Sequence, residues 1–338
     1  MTTGEAFMTT MGAVGGPIAA SPAISAPVPA RPAGLGSGLS RRSAGVMIGL
    51  VSAMCFGTSG TFGSALISAG WSPAGAVLGR VGIAALALTI PALISLRGRW
   101  SLLRRSAGQM IVYGLVGVDA CQVCYFNAIA RMDVGIAILL EYMGIVLIVG
   151  WLWLRHGQRP RALTVGGVVA ALGGLALMLD LSGSVAVSIP GVLFALAAAV
   201  AMAVYFFQSA DGSGGLPPVV LTWGGMVVGA AVLGAAGLTG LLPLRFTGGD
   251  VTLLGRPVSW LVPLLGLSLA AAAIAYVTGI AAARRLGAKL GSFVAMAEVL
   301  FAVAFAWILL HQAPATTQFI GGALILLGVI AVRLDEPA

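Results

Sequence analysis

From about residue 44 to residue 333 the chain is a succession of apolar segments separated by short turns that carry most of its charge. Each segment is close to the roughly 20 residues an α-helix needs to cross the hydrocarbon core of a bilayer. Ten are counted, at about 44–66, 73–95, 108–129, 133–154, 162–182, 188–208, 218–243, 259–282, 288–310 and 316–333. Backbone polar groups find no water in hydrocarbon, so only helices or a closed barrel can span it, and no alternating period of two is present. The pattern predicts an all-α integral membrane bundle of ten transmembrane helices. Only 8% of the residues are charged, against roughly 25% in soluble domains, which argues strongly against a water-soluble fold.

Residues 1–43 read differently. Pro, Ala, Gly, Ser and Thr dominate them, with Glu5 and Arg31 as the only charges before Arg41-Arg42, so a disordered cytoplasmic tail is expected. A cleaved signal peptide is not, because no basic start and compact apolar stretch precede Arg41. The net charge of +8 does not gather into a nucleic-acid patch; the cations sit in twos and threes between apolar runs. With the N-terminus in the cytoplasm, 14 of the 18 Lys and Arg residues fall on that side. Arg131, Arg245 and Arg256 fall on the other, and Arg80 falls within a span. This asymmetry predicts both termini on the cytoplasmic face of the cell's inner membrane. The lone lysine, Lys289, follows Ala288, so no GxxxxGK[ST] loop exists to hold nucleotide phosphates. Cys55, Cys121 and Cys124 lie inside apolar runs without a second pair or a nearby His, and are read as helix-packing residues.

The chain also repeats itself. Gly45-Val46, Leu50 and Ala53 match Gly191-Val192, Leu196 and Ala199 at an offset of 146 residues. Later, Glu141 pairs with Glu298, and His156, Gly166, Gly167 and Gly173 match His311, Gly321, Gly322 and Gly328 at an offset of 155. Two five-helix halves follow, 44–182 and 188–333. An odd number of spans per half makes the second copy enter the membrane from the opposite side, the inverted repeat that many secondary transporters use.

With this architecture, the stretch Asp133-Val-Gly-Ile-Ala-Ile-Leu-Leu-Glu141-Tyr-Met-Gly144 resembles the fourth span of the bacterial threonine/homoserine exporters. The tract Lys289-Leu-Gly-Ser-Phe-Val-Ala-Met-Ala-Glu298-Val-Leu-Phe-Ala resembles the ninth span of the same branch, in the ten-helix EamA-type family of the drug/metabolite transporter superfamily. The family usually carries Glu-Pro where Glu298-Val299 stands, and often Gly-Glu where His311-Gln312 stands. The resemblance implies export of a small metabolite coupled to an ion gradient.

Ionisable groups inside spans are few: Arg80, Asp119, Glu141 and Glu298. Each is costly in hydrocarbon, so each is expected to face the bundle interior or a water-filled path. A carboxyl removed from water holds its proton more tightly, which suits Glu141 to binding a proton or a substrate amine, with Glu298 and Asp119 completing the polar path. Asp119 and Gln122 lie one helical turn apart and are expected to line a polar path, with Asn127 at its outer edge. Arg80 has no counterpart in the second half, where Trp223-Gly224-Gly225 stands; it is read as holding a substrate carboxylate, or as paired permanently with Asp119 or Glu141. His156 and His311 are read as interfacial, and Trp151 and Trp153 as anchors at a span end.

The expected function is alternating-access export of an amino acid such as threonine or homoserine, driven by a proton gradient. The rivals are a broad exporter of lipophilic drugs and a membrane-embedded lipid-processing enzyme. Expected partners are the small-molecule cargo, the proton and the bilayer, with a homodimer left open. No nucleic acid, metal, cofactor or enzymatic activity is expected.

Overall fold

A computed structural model describes residues 35–132, 134–157, 159–178, 188–212, 214–310 and 315–335. The expected tail up to residue 34, Asp133, residues 179–182 and His311 lie outside the described residues, as does the side chain of His156. In chain order the first half holds α1 (Leu35–Phe56), α2 (Ser59–Ser68), α3 (Pro73–Leu96), α4 (Ser101–Arg105) and α5 (Ala107–Val112). A π-helical turn, Tyr113–Ala120, then leads into α6 (Cys121–Ile129), followed by α7 (Val134–Glu141), α8 (Gly144–His156) and α9 (Ala162–Met178). The second half holds α10 (Ile189–Ala210), α11 (Pro218–Leu238), an antiparallel hairpin of β1 (Asp250–Leu253) and β2 (Arg256–Ser259), and α12 (Leu261–Leu265). A second π-helical turn, Gly266–Ile274, leads into α13 (Ala275–Ala295), then α14 (Ala297–Leu310) and α15 (Thr316–Asp335).

Seven helical runs among the described residues are long and apolar enough to cross a membrane: Arg42–Ser68, Pro73–Leu96, Ala107–Ile129, Ala137–Arg155, Ile189–Ala210, Pro218–Leu238 and Leu261–Ala295. Ala162–Leu177 is equally apolar but shorter. The run Leu261–Ala295 is interrupted at Gly287, whose φ of 78° and ψ of 168° only glycine adopts without strain. That break separates the eighth expected segment from the ninth. Helix starts follow local chemistry: Ser72, ahead of Pro73, accepts a hydrogen bond from the Gly75 N–H at 3.1 Å, and Ser188 caps α10 in the same way.

The two halves interlock. α3 packs along α11 and α9 along α15, while α1 lies on α13 and α10 lies on the first π-turn and α6. Each of the last two contacts becomes the other when the halves are exchanged. α9 and α15 run antiparallel: a side chain on Gly167 would strike the Gly328 carbonyl, and one on Gly174 the Gly321 carbonyl. α1 and α13 are also antiparallel, with Gly45 against Arg285 and Ser52 Oγ donating to the Ala275 carbonyl at 2.7 Å. Such close approach replaces the hydrophobic drive that is missing between helices in lipid.

The outer surface is apolar. Leu86 and Ile90 on α3, Val169 on α9, Leu193 on α10 and Leu327 on α15 are each more than half exposed, an arrangement soluble proteins avoid and hydrocarbon favours. One end is closed by the segment after α11. The Trp71 indole donates to the Thr247 carbonyl at 2.9 Å and lies tilted against Trp260, with ring centroids 5.7 Å apart, while the hairpin turns on Leu254 and Gly255, both at positive φ.

The glycine contacts make a prediction. Gly167→Val or Gly174→Val forces α9 off α15 and costs about 1–3 kcal/mol of stability, read as earlier melting in detergent. Gly166→Val is near neutral, since its Cβ would meet nothing within 4 Å.

Candidate functional site

Arg80 organises the centre of the bundle. It is fully buried on α3, where its guanidinium lies under the Tyr276 ring, 5.7 Å from the centroid. Nη1 donates to Ser59 Oγ of α2 at 3.2 Å and to Gln122 Oε1 of α6; Nη2 donates to the carbonyl of Ala271. That carbonyl is available for a structural reason. The second π-turn returns to the α-helical ladder at Ala275, where the capping N–H groups bond to Ala270 and Ala272 and pass over Ala271. A π-turn, which bonds residues five apart, releases one carbonyl from the ladder, and here a buried cation takes it.

No acidic side chain forms an ion pair with Arg80 among the described residues, so the permanent pair with Asp119 or Glu141 is not what holds it. Its hold on Gln122 has a further effect. Only the oxygen of a side-chain amide can accept a hydrogen bond, so Arg80 fixes the rotation of the amide and leaves the –NH₂ for the cavity that Gln122 lines.

That cavity encloses about 70 Å³, room for a few waters or a small polar molecule. Its charged lining is Glu141 at the end of α7 and Glu298 at the start of α14; its walls include Phe56, Tyr125, Tyr205, Phe206 and Tyr276. Cys121 Sγ lies 3.4 Å from Glu141 Oε1 and donates to it. Tyr142 Oη lies 3.2 Å from Glu298 Oε2 and 3.0 Å from the Ala295 carbonyl. One hydroxyl proton cannot satisfy both acceptors, so an ionised Glu298 competes with the carbonyl for it. A protonated Glu298 can instead donate to Tyr142, which then donates to Ala295. The two carboxyls also repel each other, and both are attracted by Arg80. One guanidinium facing two carboxyls leaves a place for a single further positive charge, whether a proton or an ammonium group.

Packed aromatic rings form part of the cavity wall. Tyr205 and Tyr276 have centroids 5.5 Å apart, and Tyr113 lies 5.9 Å from Tyr205. The Tyr113 ring is fully buried, on the side of the rings where Ser209 and Thr222 stand.

Of the residues singled out in the sequence, Arg80, Gln122, Glu141 and Glu298 are brought together. Asp119 and Asn127 are not. The first π-turn shifts the helical phase between Asp119 and Gln122, so Asp119 leaves the cavity face and fills the space beside Gly229 of α11, both carboxylate oxygens buried without a partner among the described residues. Asn127 bonds within its own helix, to the Val123 carbonyl at 2.8 Å, and accepts from Arg131 at 2.8 Å. Cys121, Tyr142, Ser59 and the aromatic lining were not anticipated; the adjacency of Cys121 to Gln122 and of Tyr142 to Glu141 is the only sign of them in the sequence.

The sequence profile of the EamA-like transporter family matches residues 43–180 and, a second time, residues 189–334. The chain belongs to this family. It is therefore a multi-pass membrane protein of the drug/metabolite transporter superfamily, a family of transporters rather than enzymes. No curated protein matches at a significant level. A solved crystal structure shares the fold, with a TM-score of 0.69 and 22% identity over 87% of this EamA-like chain and 98% of the other.

The hydrogen bonds at Arg80 make a prediction for the family member. Gln122→Leu leaves a guanidinium N–H unmet and costs about 1–3 kcal/mol, seen as a lower melting temperature. Gln122→Glu keeps an acceptor facing Arg80 and melts at or above the wild type.

Proposed function

We propose that this protein is a secondary active transporter that exports a small zwitterionic metabolite, an amino acid such as threonine or homoserine, in exchange for protons. The observation that carries the reading is the pairing of two carboxyls, Glu141 and Glu298, with the amide of Gln122 in one cavity beside the buried Arg80. An ammonium group fits between the carboxyls; a carboxylate fits the Gln122 –NH₂, within the field of Arg80. Since the carboxyls accommodate one extra positive charge, a proton and the cargo amine compete for the same place, and that competition couples their movements.

The bundle in this reading is ten helices in two inverted halves, set in the inner membrane with both termini in the cytoplasm. Antiparallel packing of the equivalent helices α9 and α15, and the π-turn at the same place in each half, support it. Rocking of the halves then exposes the cavity to each side in turn.

A second reading, export of lipophilic cations, draws on the aromatic walls of the same cavity. Efflux of labelled threonine and homoserine, from cells with and without the protein and with and without a proton uncoupler, separates the two. Uncoupler-sensitive export of the amino acids supports the first reading. Export of lipophilic cations alone, with insertion verified, supports the second.

Glu141→Gln inserts normally and reduces uncoupler-sensitive export to the level of cells lacking the protein; full export by an inserted Glu141→Gln variant contradicts the role given to Glu141. Gln122→Glu, which folds, loses export of the zwitterion because its carboxylate repels that of the cargo.

A further inference from the structure

Away from the central cavity, a second crevice of about 310 Å³ opens where the end of α8, the start of α9, the segment of α13 after Gly287 and the end of α15 meet. Three cations line it, Arg159, Arg161 and Lys289, together with Asp335 and Thr164. Its inner wall is apolar, formed by Val149 and Leu152. The transport reading uses none of these residues.

The charges are not balanced within the crevice. Asp335 is buried and already engaged: Thr164 donates to it, and Lys289 Nζ lies 4.0 Å away. Arg159 and Arg161 are exposed and have no acidic partner among the described residues. The surroundings place the crevice at a boundary between hydrocarbon and water. On α8, Trp151 and Trp153 are each about half exposed, with the Arg155 guanidinium over the Trp151 ring at 5.3 Å. On α9, Leu163 and Val165 are at least half exposed to the outside. Aromatic rings and snorkelling cations mark the headgroup level of a bilayer, while exposed aliphatic side chains mark the acyl region beside it.

We propose that this crevice binds the headgroup of an anionic phospholipid. Arg159 and Arg161 hold its phosphate, Arg as a fork of donors suited to phosphate oxygens, and Lys289 adds positive field from the floor. The acyl chains run down the apolar wall of Val149 and Leu152. Asp335 keeps Lys289 in place rather than opposing the ligand, because its Oδ2 accepts from Thr164 and faces Lys289. The bound lipid bridges α8 and α9 of the first half to α13 and α15 of the second, so it fastens the two halves together at this end.

The source of the phosphate is the bilayer, and the test distinguishes it from phosphate in solution. The full chain is purified in a mild detergent and mixed at equal concentration with phosphatidylglycerol or with phosphatidylcholine, and retained lipid is counted by native mass spectrometry. A third sample receives soluble glycerol phosphate as a competitor. The double variant Arg159→Gln/Arg161→Gln is compared with a control, Arg97→Gln/Arg99→Gln, which removes two exposed cations from another turn. The proposal expects phosphatidylglycerol to be retained in preference to phosphatidylcholine, glycerol phosphate to compete poorly, and the first variant alone to weaken retention about tenfold or more. Equal retention of both lipids, equal loss in both variants, or full displacement by glycerol phosphate overturns it. All four substituted residues are exposed, so unchanged melting of both variants in lipid-free detergent certifies that any loss is one of binding.

Discussion

A guanidinium buried in a membrane bundle draws its hydrogen-bond acceptors from the protein, and at Arg80 this requirement shapes the centre of the bundle: Nη1 and Nη2 are met, while Nε is buried without a partner among the described residues. Arg cannot shed its proton to escape the cost, as a lysine or a carboxyl can. Its partners come from α2, α6 and the second π-turn, so one side chain ties the first half of the chain to the second. The π-turn supplies what a regular helix withholds, a main-chain carbonyl outside the ladder. Without that irregularity the cation has one acceptor fewer; without the cation the carbonyl stays unpaired in a dry interior. Each makes the other tolerable.

The same interaction sets the character of the cavity. Because the acceptors that Arg80 does have are all neutral, and its Nε is buried without a partner among the described residues, its charge is not cancelled by a carboxylate and remains available as a field. Glu141 and Glu298 lie within that field and repel each other, each next to a weak or shared donor, Cys121 for one and Tyr142 for the other. A strong, committed ion pair would have fixed their charge states. Cysteine and a shared tyrosine hydroxyl leave them adjustable, which is what a site that exchanges a proton for an amine requires.

Much of this was legible in the sequence because membrane insertion makes charge rare. Arg80, Glu141 and Glu298 stand out as isolated ionisable residues in apolar runs, and the structure gathers all three at one place. The recurring apolar runs of about 20 residues gave helices, seven of them among the described residues long and apolar enough to cross a membrane, whereas which helices the Gly-Gly pairs join, α9 and α15, comes from the structure. What misled was helical phase. A three-residue spacing puts Asp119 and Gln122 on one face of a regular helix, but the π-turn at 113–120 separates them, so Asp119 meets α11 instead. No composition signal marks that turn. The aromatic lining was hidden for the opposite reason: Phe and Tyr in a membrane bundle are common, and only the fold tells which of them face the cavity. The hairpin at 250–259 was equally silent, its turn built on a Leu254-Gly255 pair.

In the proposed transport cycle the cargo amine and a proton occupy the same pair of carboxyls in turn. Proton release on binding tests it most directly: purified protein in weakly buffered detergent solution is mixed with threonine or homoserine, and the pH of the solution is recorded as the ligand saturates. Shared occupancy of the carboxyls gives acidification that saturates with binding and is absent from the Glu141→Gln variant. Saturable binding with no release of protons would contradict it.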